Sequence, residues 1–289
     1  MNLPPPTSLG KLDEKQRRAL INLLADDDQN VYRTVRQKII SYGPATAPWL
    51  REYILSNDPV LRRRAHEIVC HFDRQAADTQ LLAFCLNQGE DFDLEQSVLL
   101  LSRTQYPDIN PAAYSALLDQ FAGELCERLD LNGDPAQILK ITNDYLFREL
   151  KFTGDEHNFY DPDNSYFNCV MDRRTGNPIS LSLVYLFLAR RLRLPMVGIG
   201  LPGHFLCRYQ SSRAEIYVDA FRGGRLQTKA DCIKHVVQLR QRFDESSLAP
   251  VSSRRILLRI CAALHQIYTQ RKSPDQVDRL QRYLVALAK

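Results

Sequence analysis

Between Leu12 and Ala122 the apolar positions recur at helical spacing, and the pattern itself repeats. Asp28, Val31, Val35 and Ile39 are followed about 30 residues later by Asp58, Leu61, Ala65 and Val69. Trp49 and Ile54 of a following helix are matched at the same offset by Thr79 and Phe84, and Asp91, Leu94 and Val98 form a degraded third copy. An acidic residue ahead of each helix accepts hydrogen bonds from its free amides, and the apolar stripe buries against the next element. Stacked helix pairs of this length predict a HEAT-like region over 1–122, serving either as a partner surface or as a cover for its neighbour.

From Asp134 to Leu150, the positions Ile138, Ile141, Tyr145 and Leu150 mark another amphipathic helix. The texture then changes. GDEHNFYDPDNSYFN, residues 154–168, is crowded with turn formers and predicts an ordered loop entering a short helix from about Ser165 to Arg174. Gly176 is expected to end that helix and Pro178 to start the next, because a missing N–H costs nothing at a first helical position. The new helix is apolar on all sides through Ile179, Leu183, Leu186 and Phe187, so it belongs at the centre of its domain. Beyond Pro195 the period shortens to that of strands in MVGIGL, HFLCRY and EIYVDAF. Together these predict an α+β core over 123–245, a central helix packed on an antiparallel sheet. Leu257, Ile260, Leu264 and Ile267 face Val277, Leu280, Leu284 and Leu287 across a joint at Ser273 and Pro274, which predicts a tetratricopeptide-like hairpin over 246–289.

Composition narrows the classes. The 289 residues are 44% hydrophobic and 25% charged, as a folded chain requires, and no apolar run approaches the roughly 18 residues of a spanning helix. The segment after Met1 has no secretory pattern. Cys70, Cys85, Cys126, Cys169, Cys207, Cys232 and Cys261 are odd in number and mostly at apolar positions, which reads as reduced thiols and a cytoplasmic location. The net charge of +4 is scattered, and the clusters at Arg62 to Arg64, Arg190 and Arg191, and Arg254 and Arg255 are expected to be solvated helix faces rather than a nucleic-acid groove. GIGLPG lacks the following helix that a phosphate-cradling loop needs, so no cofactor is implied. His66 and Cys70, one helical turn apart, would need His71 and Cys85 to complete a metal site. With no CxxC pair, the expectation is a packed histidine, a core thiol and no metal.

The candidate chemistry gathers at His204. A tight turn in QSSRA centred between Ser211 and Ser212 would set His204 opposite Asp219. Directly opposed side chains lie roughly 4.5 to 5.5 Å apart at Cβ, close enough for a carboxylate to accept an imidazole N–H. An aspartate so placed fixes the tautomer of a general base and raises its basicity. The same pair could equally serve only to tie two strands together.

Asn164 and Ser165, then Arg174, Gly176, Pro178 and Ser180 to Ser182, then Pro202, Gly203, His204 and Phe205, then Asp219, Phe221, Gly223 and Gly224 form the ordered set NS, RxGxPxSLS, PGHF and DxFxGG. Through these motifs the sequence resembles the transglutaminase-like superfamily, and more closely its bacterial SirB-type branch, over about residues 134–232. The resemblance implies a papain- and transglutaminase-like core. In enzymatic members a cysteine in the first turn of the central helix attacks an acyl group, so by resemblance His204 and Asp219 take the base and orienting roles. The enzyme cysteine falls at about Pro178 here. Ser180 and Ser182 lie in the first helical turn, with Ser180 the better placed to point at His204, and Cys169 offers a thiol ahead of Gly176. Two functions stay open. One is a catalytically degenerate domain that binds a protein or peptide in the old cleft, with no role for nucleic acid or membrane. The other is a peptide or amide hydrolase or acyl transferase using Ser180 or Cys169 with His204 and Asp219. A helical adaptor acting through its repeats alone is a third class.

Overall fold

Acidic caps open the first helices where the sequence places them. In a computed structural model, residues 12–238 and 244–289 are described. Helix α1 (Glu14–Leu24) starts from a reciprocal capping box between Asp13 and Gln16. Helix α2 (Gln29–Ser41) starts at Asp28, the short α3 (Ala47–Arg51) follows Gly43 and Pro44, and α4 (Pro59–Asn87) starts at Asp58, whose carboxylate accepts from the amides of Val60 and Leu61. Val35, Ile39, Leu61 and Val69 of the repeating stripe share one core with Ile21, Leu24, Leu50 and Phe72. The second copy does not break before Thr79 as predicted. Between Cys70 and Gln80 there is no glycine or proline to stop it, so α4 continues as one helix of 29 residues. The third copy also differs: α5 (Leu94–Gln105) is capped by Asp93, whereas Asp91 accepts from the Ser253 amide.

Two units are distinguished, one holding the described residues up to Ala77 with Tyr106–Asp108, the other Asp78–Gln105 with the described residues from Ile109 to Lys289. The second unit continues with α6 (Pro111–Cys126) and α7 (Pro135–Asn143), which runs into a π-helical turn at Asp144–Glu149. Strand β1 (Thr153–Gly154) pairs in parallel with β2 (Thr175–Gly176), and α8 (Phe167–Arg173) lies between them in sequence. Arg174, not Gly176, ends α8. Its backbone is left-handed at φ 57, and its guanidinium stands 4.8 Å from the ring centres of Phe121 and Phe152.

Helix α9 (Pro178–Arg191) is buried through Leu181, Leu183, Val184, Tyr185, Phe187 and Leu188 and packs on an antiparallel sheet. The sheet runs β3 (Met196–Ile199), β4 (Leu206–Gln210), β5 (Glu215–Asp219) and β6 (Arg225–Gln227) in sequence order. Helix α10 (Lys229–Gln238) follows, and α11 (Ser253–Gln270) packs along α12 (Pro274–Leu287). No described helix is long and apolar enough to cross a membrane. Six of the seven cysteines are buried and all are free thiols.

The arginine clusters are not uniformly solvated faces. Arg64, 3% exposed, donates to the carbonyls of Leu24 and Asp26, and Arg254, 7% exposed, donates to those of Cys85, Gln88, Ala286 and Leu287. Arg191 pairs with Glu95 and Asp119. The last carbonyls of a helix have no intrahelical donor, and a guanidinium offers five N–H groups to satisfy them, which is why one member of the Arg62 to Arg64 and Arg254 to Arg255 clusters turns inward.

Candidate functional site

His204 stands in the short loop before β4, where Gly203 takes φ +67 and the His204 amide donates to the Leu201 carbonyl at 3.2 Å. Asp219 is the last residue of β5. The β4 and β5 register pairs Cys207 with Val218 and Arg208 with Tyr217, two positions away from the expected one. The cause is the turn, which takes four residues and closes from the Ser211 amide to the Ala214 carbonyl. A shift of two returns every side chain to its original face, so the histidine and aspartate still meet, now diagonally. His204 Nε2 lies 2.8 Å from Asp219 Oδ2.

Asp219 is 1% exposed and is kept there by donors: the Arg222 amide to Oδ1 at 3.2 Å and the Gln227 side-chain amide to Oδ2 at 3.4 Å. Donation from His204 to this carboxylate places the proton on Nε2 and leaves Nδ1 as the basic nitrogen. From the other side Arg259 of α11 donates to the carbonyls of Leu201 and His204 at 2.9 and 3.0 Å and covers the Phe205 ring. Burial pushes the Arg259 pKa down from its ordinary value. Its sequence signal was slight: a cation one turn from both Ile256 and Ala263 on a predominantly apolar helix.

The start of α9 is built differently. Asn177 caps the helix by accepting from the Ser180 amide at 3.0 Å, and Ser180 Oγ accepts in return from the Asn177 amide at 2.9 Å. The same hydroxyl donates to the Asn164 carbonyl at 2.7 Å. Ser180 therefore points at Asn164 and not, as expected, at His204. Ser182 is fully buried, with its hydroxyl unpartnered among the described residues. Cys169 is buried on α8 beside the Asn168 side chain. None of the three lines the cavities at His204, and the first-turn residues that do are Pro178, in both, and Ile179, in the smaller.

The other motif residues shape this arrangement. Gly176 leaves room for Ser180, since a Cβ there would stand 2.5 Å from its Oγ. Ser165 Oγ accepts from the Asn177 side chain at 2.8 Å, and Asn164 donates to the Asn158 carbonyl at 2.9 Å. Gly223 and Gly224 are both left-handed, and a Cβ on Gly224 would meet the Asn143 side chain that donates to its carbonyl. Phe205 is fully buried, while Phe221 meets the His204 ring edge-on at 6.3 Å. Pro202 precedes Gly203 in the turn.

Two cavities adjoin His204. The larger, about 470 Å³, is lined by His204, Asp219, Arg222, Arg225, Lys234 and His235 among others. The smaller, about 130 Å³, is lined chiefly by Phe159, Tyr160, Pro178, Ile179, Ala263 and Ile267. Phe159, Pro178, Gly203 and His204 belong to both. Sequence reasoning missed Phe159, Arg222, Arg225, Lys234 and His235, because no local pattern links residues that only the fold gathers.

His66 and Cys70 are joined by Asp108, not by His71 and Cys85, and their ligand atoms lie within 4.8 Å of one another. His66 Nε2 is 3.1 Å from the Asp108 carboxylate, and Cys70 Sγ lies 3.5 and 3.7 Å from the two ring nitrogens of His66. The sulfur is nearly equidistant from both nitrogens, and only Cys70 of the three is buried, His66 being half-buried and Asp108 exposed. Burial first and Asp108 second push the Cys70 thiol pKa up to about 12.

A histidine held by a buried aspartate at one end of an antiparallel sheet, beside the start of a buried helix, is a frame on which acyl-transfer enzymes are built. The comparison agrees with the geometry: residues 112–262 match the model of the transglutaminase-like superfamily, and the chain belongs to that superfamily. It is 33% identical over 204 residues to a UPF0162 protein of Xylella fastidiosa strain 9a5c, covering 66% of this chain and 70% of that one. A UPF0162 protein of Pseudomonas aeruginosa is 31% identical over 195 residues, with the same coverage of 66% and 70%. F-box only protein 21 of Mus musculus is 39% identical over 105 residues, which span 34% of this chain and 17% of the mouse protein. No solved structure matches significantly.

Proposed function

We propose that this chain is a catalytically degenerate transglutaminase-like protein of the SirB type, in which the cleft at His204 binds a protein or peptide segment without forming a covalent intermediate. One observation carries the reading: the first-turn residues that share a cavity with His204 are Pro178 and Ile179, neither of them a nucleophile, while the hydroxyl of Ser180 is committed to Asn164 and Asn177. A triad needs a nucleophile within hydrogen-bond reach of its base, and a proline supplies none. In this reading Asp219 orients His204 as a recognition group. The HEAT-like helices precede the core in sequence and the tetratricopeptide-like hairpin follows it, and the protein works in the cytoplasm.

The intact pairing of His204 with Asp219 favours a second reading, a hydrolase or acyl transferase using Ser180 or Cys169 after a local rearrangement. Covalent labelling separates the two. A fluorophosphonate and a chloroacetamide are applied to the native protein and to His204→Ala, and labelled residues are mapped by mass spectrometry. The binding reading expects no label whose rate depends on His204. Rapid labelling of Ser180, Ser182 or Cys169 that disappears in His204→Ala would replace it with the enzyme reading.

A further inference from the structure

We propose that the cleft selects a peptide segment carrying an apolar side chain next to acidic ones, an inference that rests on the binding function above. The apolar side chain enters the smaller cavity and the carboxylates enter the larger. Size argues for the first part. A void of about 130 Å³ walled by Ile179, Ala263, Ile267 and aromatic rings holds a single aliphatic or aromatic group, since a cavity of roughly 150 Å³ takes one benzene. Phe159 and Tyr160, 38% and 58% exposed, extend this apolar surface outwards.

Charge argues for the second part. The larger cavity carries Arg222, Arg225 and Lys234 together with His204 and His235, against the two carboxylates of Asp219 and Asp231. Both carboxylates already have donors. Asp219 is held by His204 and the Arg222 amide, and Asp231 accepts from the amide and hydroxyl of Thr228 at 3.0 and 2.7 Å. Arg222 Nε lies 4.0 Å from Asp219 Oδ2, which leaves Arg225 and Lys234 against Asp231, a net of one positive charge with the histidines neutral, and an anionic ligand is its complement. Because His204 and Phe159 border both cavities, the apolar and acidic groups must be close together. In an extended peptide, with about 3.3 Å per residue, that means adjacent or next-but-one positions.

The test is fluorescence anisotropy on the full chain with three labelled heptapeptides: a Leu-Glu-Glu centre flanked by glycines, the same with Leu-Gln-Gln, and the same with Ser-Glu-Glu. The Leu-Glu-Glu peptide should bind most tightly, and added salt should weaken it. Arg225→Glu and Lys234→Glu each change an exposed side chain, so folding is preserved, and each should weaken that peptide roughly threefold. Ala263→Phe should fill the small cavity and remove the advantage of leucine over serine. If Leu-Gln-Gln binds as well as Leu-Glu-Glu and Ala263→Phe abolishes both, the cleft still binds peptides, and only the acidic selectivity is overturned. Binding that neither the charge reversals nor Ala263→Phe alters lies elsewhere and overturns the inference, as does failure of all three peptides to bind at millimolar concentration.

Discussion

The strands and the helix that border the cleft are arranged for different tasks. On the strand side, a histidine is held at 2.8 Å by an aspartate that is itself almost wholly buried and supplied with donors. On the helix side, the first-turn position is a proline, and the nearby hydroxyl closes a capping box and grips a carbonyl. The difference teaches that orienting a base and presenting a nucleophile are separable properties of the fold. The strand pair is maintained by burial and hydrogen bonding, whereas the helix start is arranged to complete its own backbone.

The comparison is most severely tested on the strand side. Asp219→Leu removes the partner of His204 and leaves the donors around it unsatisfied, so denaturant unfolding should show a loss of about 3 kcal/mol. A loss below about 1 kcal/mol would mean that the pair contributes little to the stability of the cleft. Arg259→Met keeps the apolar stem but abandons two carbonyls behind His204, with an expected loss of about 2 kcal/mol by the same measurement. Ser180→Ala should cost about 1 kcal/mol, the usual net value of a lost hydrogen bond, and leave covalent labelling unchanged. A change in labelling would show that this hydroxyl does more than cap.

Pro178→Cys should alter stability least, by under about 1 kcal/mol, because it replaces a favoured but dispensable first-turn proline. It sharpens the contrast most. A thiol there stands at a helix amino terminus beside His204, and its alkylation should be faster than in the Pro178→Cys, His204→Ala double variant. Equal rates would show that the strand side does not function as a base. Cys207 provides an internal control, since burial pushes its thiol pKa up to about 12 and it should remain unlabelled while folded.

How much of this was legible follows from what each feature depends on. The meeting of His204 and Asp219 survived a wrong turn length because strand faces repeat every two residues, and an error of two preserves the face. Helix α9 was legible because it is apolar on every side. The role of Ser180 was not, because it is decided by a carbonyl sixteen residues earlier that no periodicity reports. The length of α4 was misjudged by extending a repeat through a stretch with no helix breaker. Strand β6 was too short to show an alternation, and the basic side of the cleft is drawn from a turn, a strand and a helix.

The grip of Arg259 on the loop of His204 bears on how this fold can be dissected or transplanted. A fragment ending at Leu248 would contain every motif residue from Asn164 to Gly224, yet it would lack the splint under the histidine. The smallest portable version of the cleft therefore includes α11, and a chimera that exchanges this helix for a foreign one replaces part of the site along with its support.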